Sequence, residues 1–127
     1  MKYVKGIGII VLLLVLVNFT FLQTMQEDEE LIIGKWIPEG CPKCELVFTE
    51  DGKCYDYYEG KLDNTYTYFI YEETSDNGKL KFSTLKKINI NDPSDTYEYD
   101  INGLNEKVMY LDYQRDMNCN LLKYTRK

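Results

Sequence analysis

From residue 31 onward the chain alternates apolar and polar positions in short runs separated by turn-forming residues. Alternation of this kind puts successive side chains on opposite faces of a strand, and turns about 8–12 residues apart are typical of a barrel or sandwich. Asp51-Gly52 and Asn77-Gly78 mark two hairpin turns, since their glycines supply a positive φ. The pattern predicts eight strands, over residues 33–38, 45–49, 54–60, 65–72, 79–85, 96–101, 107–113 and 120–126.

Eight consecutive strands joined by short links most simply form an up-and-down barrel, because closure leaves no unpaired strand edge. We therefore predict an all-β fold, an eight-stranded antiparallel up-and-down barrel over residues 31–127. The polar stretch 86–95 is assigned to a loop, and Asn102-Gly103 to the start of a turn. A barrel of this size has room for its own side chains or for one small ligand.

The alternation also places a series of aromatic side chains on the inward face of the predicted strands. These are Tyr66, Tyr68, Phe82, Tyr97, Tyr99 and Tyr113. Six large side chains fill much of a small barrel, so we expect any cavity to be small and edged by tyrosine hydroxyls. Hydroxyls need hydrogen-bond partners, which favours an amphipathic ligand over a pure hydrocarbon. The open alternative is that these rings serve only as strand-forming core and rim.

The first 25 residues follow a different pattern. Lys2 and Lys5 precede an apolar stretch over residues 6–22. A basic start and an apolar core predict an export signal, although the small residues of a cleavage site are missing. The 17 residues of the stretch lie at the lower edge of membrane-spanning length. We expect residues 1–25 to be a signal peptide or an uncleaved membrane anchor, with the body periplasmic or extracellular and residues 6–22 its only membrane contact.

Composition and charge limit the reactions that the chain could catalyse and the partners that it could bind. The chain has no His, which excludes a Ser-His-Asp triad, a Cys-His pair and imidazole metal sites. Residues 26–30 form an acidic run that we interpret as a solvated spacer. From Glu27 onward the chain has 13 basic and 21 acidic residues, a net charge of −8. This charge disfavours nucleic acid and attracts basic proteins. Outward carboxylates such as Glu98 and Asp100 are interpreted as a solvated face, so we predict no enzymatic activity, no cofactor and no metal site.

The cysteines are Cys41, Cys44, Cys54 and Cys119. Cys41 and Cys44 have the spacing of a redox pair, but that chemistry needs the first thiol at a helix N-terminus, and this segment continues into a strand. A four-cysteine zinc site needs a second closely spaced pair. We therefore interpret the cysteines as structural disulfides of an exported domain. If Trp36 lies opposite Tyr124 on the closing strands, Cys119 approaches Cys41, and we expect Cys119 to pair with Cys41 or Cys44.

A family resemblance rests on the two ends of the predicted barrel. Gly34-Lys35-Trp36 opens the first strand and Arg126 ends the last. This arrangement resembles the G-x-W signature of lipocalins and the arginine that stacks on that Trp, and residues 31–127 are similar to small bacterial lipocalin-like domains with a calycin-type barrel. The resemblance implies that Gly34, Trp36 and Arg126 close the barrel. The T-D-Y motif and the late helix of full lipocalins are missing, so no ligand-binding residue is transferred.

Together these features predict an exported, non-enzymatic, lipocalin-like binding protein for a small apolar or amphipathic ligand. The alternative is a cell-envelope inhibitor or interaction module, because small acidic exported barrels resemble the inhibitors of C-type lysozyme, a basic enzyme. A cavity of about 300 Å³ or more would favour the ligand-binding hypothesis. A filled barrel with an acidic loop at one end would favour the second.

Overall fold

A computed structural model describes residues 27–114 and 121–127. The predicted signal or anchor at residues 1–25 and Cys119 lie outside this range. Within it, no helix has the length and apolar character needed to cross a membrane. The strands are β1 (Gly34–Pro38), β2 (Cys44–Phe48), β3 (Lys53–Tyr58), β4 (Lys61–Thr74), β5 (Lys81–Asn89), β6 (Thr96–Leu104), β7 (Val108–Tyr113) and β8 (Leu121–Arg126).

The eight strands form one closed barrel in which each strand pairs antiparallel with its neighbours along the chain. The predicted all-β, up-and-down antiparallel barrel is therefore confirmed. At the closing seam, Trp36 pairs with Arg126 and Pro38 with Tyr124. The register that placed Trp36 opposite Tyr124 is wrong by two residues, because the observed pairing sets the guanidinium of Arg126 directly against the Trp36 ring.

Three of the differences between the predicted and observed strand boundaries have identifiable reasons. β5 continues to Asn89, beyond its predicted end at residue 85. Its last residues were assigned to a loop because Lys87 and Asn89 are polar, although both are buried. β6 continues through Gly103, where the pairing with β7 shifts by a bulge instead of ending in a turn. Glu59 and Gly60 form the hairpin turn between β3 and β4, and both have a positive φ.

One end of the barrel is closed, and we call it the base. Residues 27–31, of which 27–30 were assigned on sequence grounds to the acidic spacer and Leu31 to the barrel, form a short helix there. Arg126 donates hydrogen bonds to the carbonyls of Leu31 and Ile33, the latter at 2.8 Å. Its Cζ lies 4.2 Å from the centroid of the Trp36 ring, and Trp36 Nε1 donates to the Ile32 carbonyl at 2.8 Å. The contact expected between Trp36 and Arg126 is therefore present.

Gly34 is needed for this packing. Its φ is 131°, and a Cβ at this position would lie 2.5 Å from Nη1 of Arg126. A side chain here would meet both an unfavourable backbone conformation and the guanidinium. The first residue of the Gly34-x-Trp36 pattern thus makes room for the arginine that stacks on the third.

The barrel interior changes character from the base to the opposite end, which we call the mouth. The mouth is formed by the ends of β1, β3, β5 and β7 and the starts of β2, β4, β6 and β8. Near the base the core is apolar and includes Ile32, Trp36, Phe48, Leu85 and Met109. Towards the mouth the inward positions carry hydroxyl, amide and charged groups, so the polar half of the interior lies at the mouth.

The β4–β5 hairpin extends past the base as a two-stranded ribbon. β3 pairs with β4 only as far as Thr67, and β6 pairs with β5 only from Thr84 onward. Within the described part of the chain, residues 69–74 and 81–83 therefore pair with β5 and β4 alone. The ribbon ends in a turn in which the amide of Gly78 donates to the carbonyl of Ser75 at 2.8 Å.

Candidate functional site

Four of the aromatic residues predicted to line a site come together beneath the mouth. The ring of Tyr97 lies 6.1 Å from that of Tyr66, 6.3 Å from Tyr99 and 5.9 Å from Tyr113, measured between centroids. Tyr99 and Tyr113 are 5.4 Å apart and occupy paired positions on β6 and β7. We call these four residues the tyrosine cluster. Tyr66 is buried, and the other three keep part of their surface exposed.

The other two predicted residues lie elsewhere. Tyr68 belongs to the base, where its ring packs edge-on against Phe48 at 5.0 Å and its hydroxyl donates to the Thr49 carbonyl at 2.7 Å. Phe82 pairs with Glu73 on the outer face of β5. The expectation that Phe82 points inward is wrong, because the inward positions of β5 are those of Leu85 and of the polar residues that follow it.

A buried ion pair crosses the interior beside the tyrosine cluster. Lys87 Nζ lies 3.2 and 3.4 Å from the two carboxylate oxygens of Asp56, and 4.4 Å from the centroid of the Tyr66 ring. The side chain of Lys87 is 6% exposed and that of Asp56 is 28% exposed. The carboxylate is therefore the half of the pair that is more accessible to solvent.

The neighbours of this pair fix its protonation. Burial by itself lowers the pKa of Lys87, but the sulfur of Cys54 and the carboxylate of Asp56 outweigh it and raise the pKa above its ordinary value. Lys87 is therefore charged at neutral pH. The Cys54 thiol donates to Asp56 at 3.5 Å, and burial raises the pKa of this thiol to about 12. A thiol held protonated in this way is chemically inert.

Asp95, in the loop between β5 and β6, fixes one side of the mouth. Its carboxylate accepts hydrogen bonds from Asn89 at 3.0 Å and from the Tyr66 hydroxyl at 3.1 Å. Hydrogen bonds from Asn89, Tyr97 and Tyr66 lower the pKa of Asp95. Asn89 also donates to Asn64 on β4 at 3.2 Å. The Tyr66 ring and the Asn89 amide are thus held in one orientation before any ligand arrives.

Three tyrosine hydroxyls remain available in this half of the barrel. Among the described residues, no hydrogen bond joins the hydroxyl of Tyr99, Tyr113 or Tyr124 to another protein group, and none of the three is sealed from solvent. Burial raises the pKa of Tyr99 and of Tyr124, so both are neutral at physiological pH. Each hydroxyl offers one donor and two acceptor positions.

The mouth is also surrounded by exposed apolar side chains. The large hydrophobic residues with high exposure in this region are Tyr58, Leu62, Ile90, Leu121 and Leu122. A groove of about 380 Å³ runs along the rim beside Cys41 and Leu122. The rim is therefore apolar while the interior beneath it is polar.

The disulfide of the rim joins Cys41 to Cys44, with their Cα atoms 5.3 Å apart. The expected pairing of Cys119 with Cys41 or Cys44 is therefore wrong, since the C-x-x-C turn brings its own two cysteines within bonding distance. The seam register on which that expectation rested is also shifted by two residues. Cys54, counted above among the disulfide cysteines, is a buried free thiol.

The carboxylates of β6 point away from this site. Glu98 pairs with Lys86 at 3.5 Å. Asp100 accepts a hydrogen bond from the amide of Gln114 at 2.8 Å, and the same amide donates to Glu73 at 3.1 Å. Both carboxylates belong to the outer surface of the barrel.

Sequence reasoning missed the residues that make the interior polar. Asp56 lies two residues after the buried Cys54, and Lys87 lies two residues after the buried Leu85. Residues two apart on a strand share a face, so the alternation alone could have placed both side chains inside. Their charge argued against that placement, because an unpaired charge is rarely buried.

Comparison of the chain with family models, with curated proteins and with solved structures found no match. The site is therefore interpreted from its own geometry.

Proposed function

We propose that the protein is an exported, lipocalin-like binding protein that holds a small amphipathic ligand at the mouth of its barrel and catalyses no reaction. The observation that carries this proposal is the tyrosine cluster, in which Tyr97 contacts the other three rings, at the mouth of a barrel whose other end is sealed by Trp36 and Arg126. Partly exposed rings supply a large contact area for a ligand.

An amphipathic ligand matches the two environments that meet there. The apolar part would lie against the tyrosine rings and the exposed leucine and isoleucine side chains of the rim. The polar part would reach the hydroxyls of Tyr99, Tyr113 and Tyr124. A pure hydrocarbon would leave those hydroxyls without partners once water is displaced, at a cost of roughly 1–3 kcal/mol for each buried group.

The protonation of the interior supports a non-enzymatic role. Cys54 and Lys87 are two groups of the site with nucleophilic atoms, and both are held protonated, the first by burial and the second by its ion pair with Asp56. A thiol with a pKa of about 12 and a charged ammonium are poor nucleophiles at neutral pH. The site is therefore suited to binding.

Binding of an uncharged dye, N-phenyl-1-naphthylamine, tests the proposal, since its fluorescence rises in apolar surroundings. We expect a Kd in the micromolar range, roughly −8 kcal/mol. Tyr97→Ala and Tyr99→Ala should each weaken binding by roughly 2- to 12-fold, the equivalent of about 0.5–1.5 kcal/mol for a lost aromatic contact. Phe69→Ala is the matched control, because Phe69 is an exposed ring of β4 outside the cluster. Absence of dye binding by the wild type, or equal losses in the control, would contradict the proposal.

The alternative function, capture of a basic protein at the cell envelope, is favoured by the charge of the chain. From Glu27 onward acids outnumber bases by 21 to 13, and Glu73 and Asp100 lie together on the outer surface. Titration calorimetry with a C-type lysozyme at about 150 mM salt separates the two proposals, because non-specific charge attraction is screened there. A complex that persists, together with no dye binding, would put this alternative first.

A further inference from the structure

We infer that the mouth selects ligands whose polar end is uncharged, such as an alcohol, an amide or a glyceryl ester, in preference to carboxylates and amines. This inference rests on the proposed function and names its ligand class. It is carried by the Lys87–Asp56 ion pair and by the three tyrosine hydroxyls without a hydrogen-bond partner among the described residues in the same half of the barrel.

The ion pair is already balanced before a ligand binds. Lys87 Nζ is 3.2 Å from one carboxylate oxygen of Asp56 and 3.4 Å from the other. A carboxylate brought next to Lys87 would also face Asp56, and an amine brought next to Asp56 would also face Lys87. Either ion would lose its hydration without gaining an unshared counter-ion, and desolvation of an uncompensated charge is costly.

The hydroxyls favour a head group that both donates and accepts. Tyr99, Tyr113 and Tyr124 can each do both, whereas a carboxylate only accepts and an ammonium only donates. An alcohol or amide can therefore satisfy more of these groups than either ion can. Asp95 adds a negative charge at the partly exposed rim, which disfavours carboxylates further and, being screened by solvent, attracts an amine only weakly.

Competition for the bound dye by three ligands of equal chain length measures this selectivity. Decan-1-ol, decanoic acid and decylamine are compared at pH 7.5, below their aggregation limits. We expect decan-1-ol to displace N-phenyl-1-naphthylamine at a concentration about tenfold lower than either ion, the scale of one unsatisfied buried group. If the dye binds but decanoic acid or decylamine competes as well as the alcohol does, the inference is overturned and the proposed function stands. If the dye does not bind at all, the proposed function itself fails.

Charge variants show whether the ion pair is the cause. Asp56→Asn leaves Lys87 unbalanced and should move decanoic acid to first place, whereas Lys87→Met leaves Asp56 unbalanced and should move decylamine to first place. The double variant Asp56→Asn/Lys87→Met should restore the preference for the alcohol. Circular dichroism checks the fold of each variant. An unchanged ligand order in folded single variants overturns the inference. Should the single variants fail to fold, the wild-type order decides, because displacement of the dye by either ion at the alcohol's concentration overturns the inference.

Discussion

Lys87 and Asn89 occupy inward positions of β5 that an ordinary barrel would fill with apolar side chains. Each has a partner on another strand or loop: Asp56 on β3 for the lysine, and Asn64 on β4 and Asp95 for the asparagine. Buried polar groups are tolerated when their hydrogen-bonding capacity is met. At the scale of single residues, the polar interior is thus a set of specific pairs that hold three strands and one loop in register.

The Cys54 thiol should make the protein sensitive to alkali. Its pKa is about 12 in the folded state against an ordinary value of 9.0. A raised pKa means that the associated stability is complete below about pH 9 and is lost as the pH rises towards 12. We expect Cys54→Ala to remove roughly 1–3 kcal/mol of the stability lost between pH 8 and pH 11.

Urea unfolding at several pH values checks this expectation. Tyr99 and Tyr124 also have raised pKa values, so part of the alkaline loss remains in the variant. Identical pH dependence in the wild type and Cys54→Ala would show that the thiol is not the group responsible.

The seam between β1 and β8 is short and has extra hydrogen bonds at both ends. Only three residue pairs form its register, but Lys127 N donates to the Lys35 carbonyl at 3.0 Å and Glu39 N donates to the Lys123 carbonyl at 2.9 Å. Arg126 adds bonds to carbonyls on both sides of the seam. At the scale of elements, closure therefore depends on one side chain as well as on the backbone.

Arg126→Lys should destabilise the seam although it keeps the charge. Lysine loses the planar stack on Trp36 and the divergent hydrogen bonds, which we expect to lower the unfolding free energy by roughly 2–4 kcal/mol. Gly34→Ala should act in the same direction, because its Cβ would displace the guanidinium. The matched control is Lys127→Ala, whose 56% exposed side chain forms only a surface ion pair with Glu45. A loss of unfolding free energy above about 1 kcal/mol in Lys127→Ala would contradict the special role of Arg126 at the seam.

At the scale of the whole molecule, backbone hydrogen bonds between strands and the packed core stabilise the barrel. Among the described residues, no disulfide joins distant strands. The disulfide joins Cys41 to Cys44, a separation of three residues inside one rim loop. A loop this short removes little freedom from the unfolded chain, about 2 kcal/mol in the chain-entropy treatment. The disulfide therefore shapes the rim without joining distant strands.

Reduction should consequently leave the barrel folded. We expect Cys41→Ser/Cys44→Ser to retain its far-ultraviolet circular dichroism and to lose at most about 2 kcal/mol of unfolding free energy. Cys54→Ser serves as the comparison, since it alters a buried thiol and leaves the disulfide intact. Complete unfolding of the double variant would show that the rim disulfide maintains the barrel.

The sequence predicted the architecture more fully than the site. Period-two alternation and turn residues are local signals, so the number of strands could be inferred from them, and the lipocalin resemblance implied the closure by Trp36 and Arg126. The Lys87–Asp56 pair could not, because it depends on a contact between β3 and β5 across the interior. The face of Phe82 was missed for a related reason, since buried polar residues concealed where β5 ends. The pattern of apolar residues cannot identify the inward positions of a strand where those positions are occupied by polar residues.

The ribbon formed by β4 and β5 offers a practical attachment point. Its turn, at residues 75–78, connects ends of β4 and β5 that do not form the mouth. Exposed loop tips of this kind accept insertions with little effect on the rest of a fold. A peptide tag or a surface linker placed there would immobilise the protein with its mouth directed into solution, so that capture of small molecules could be measured on a solid support.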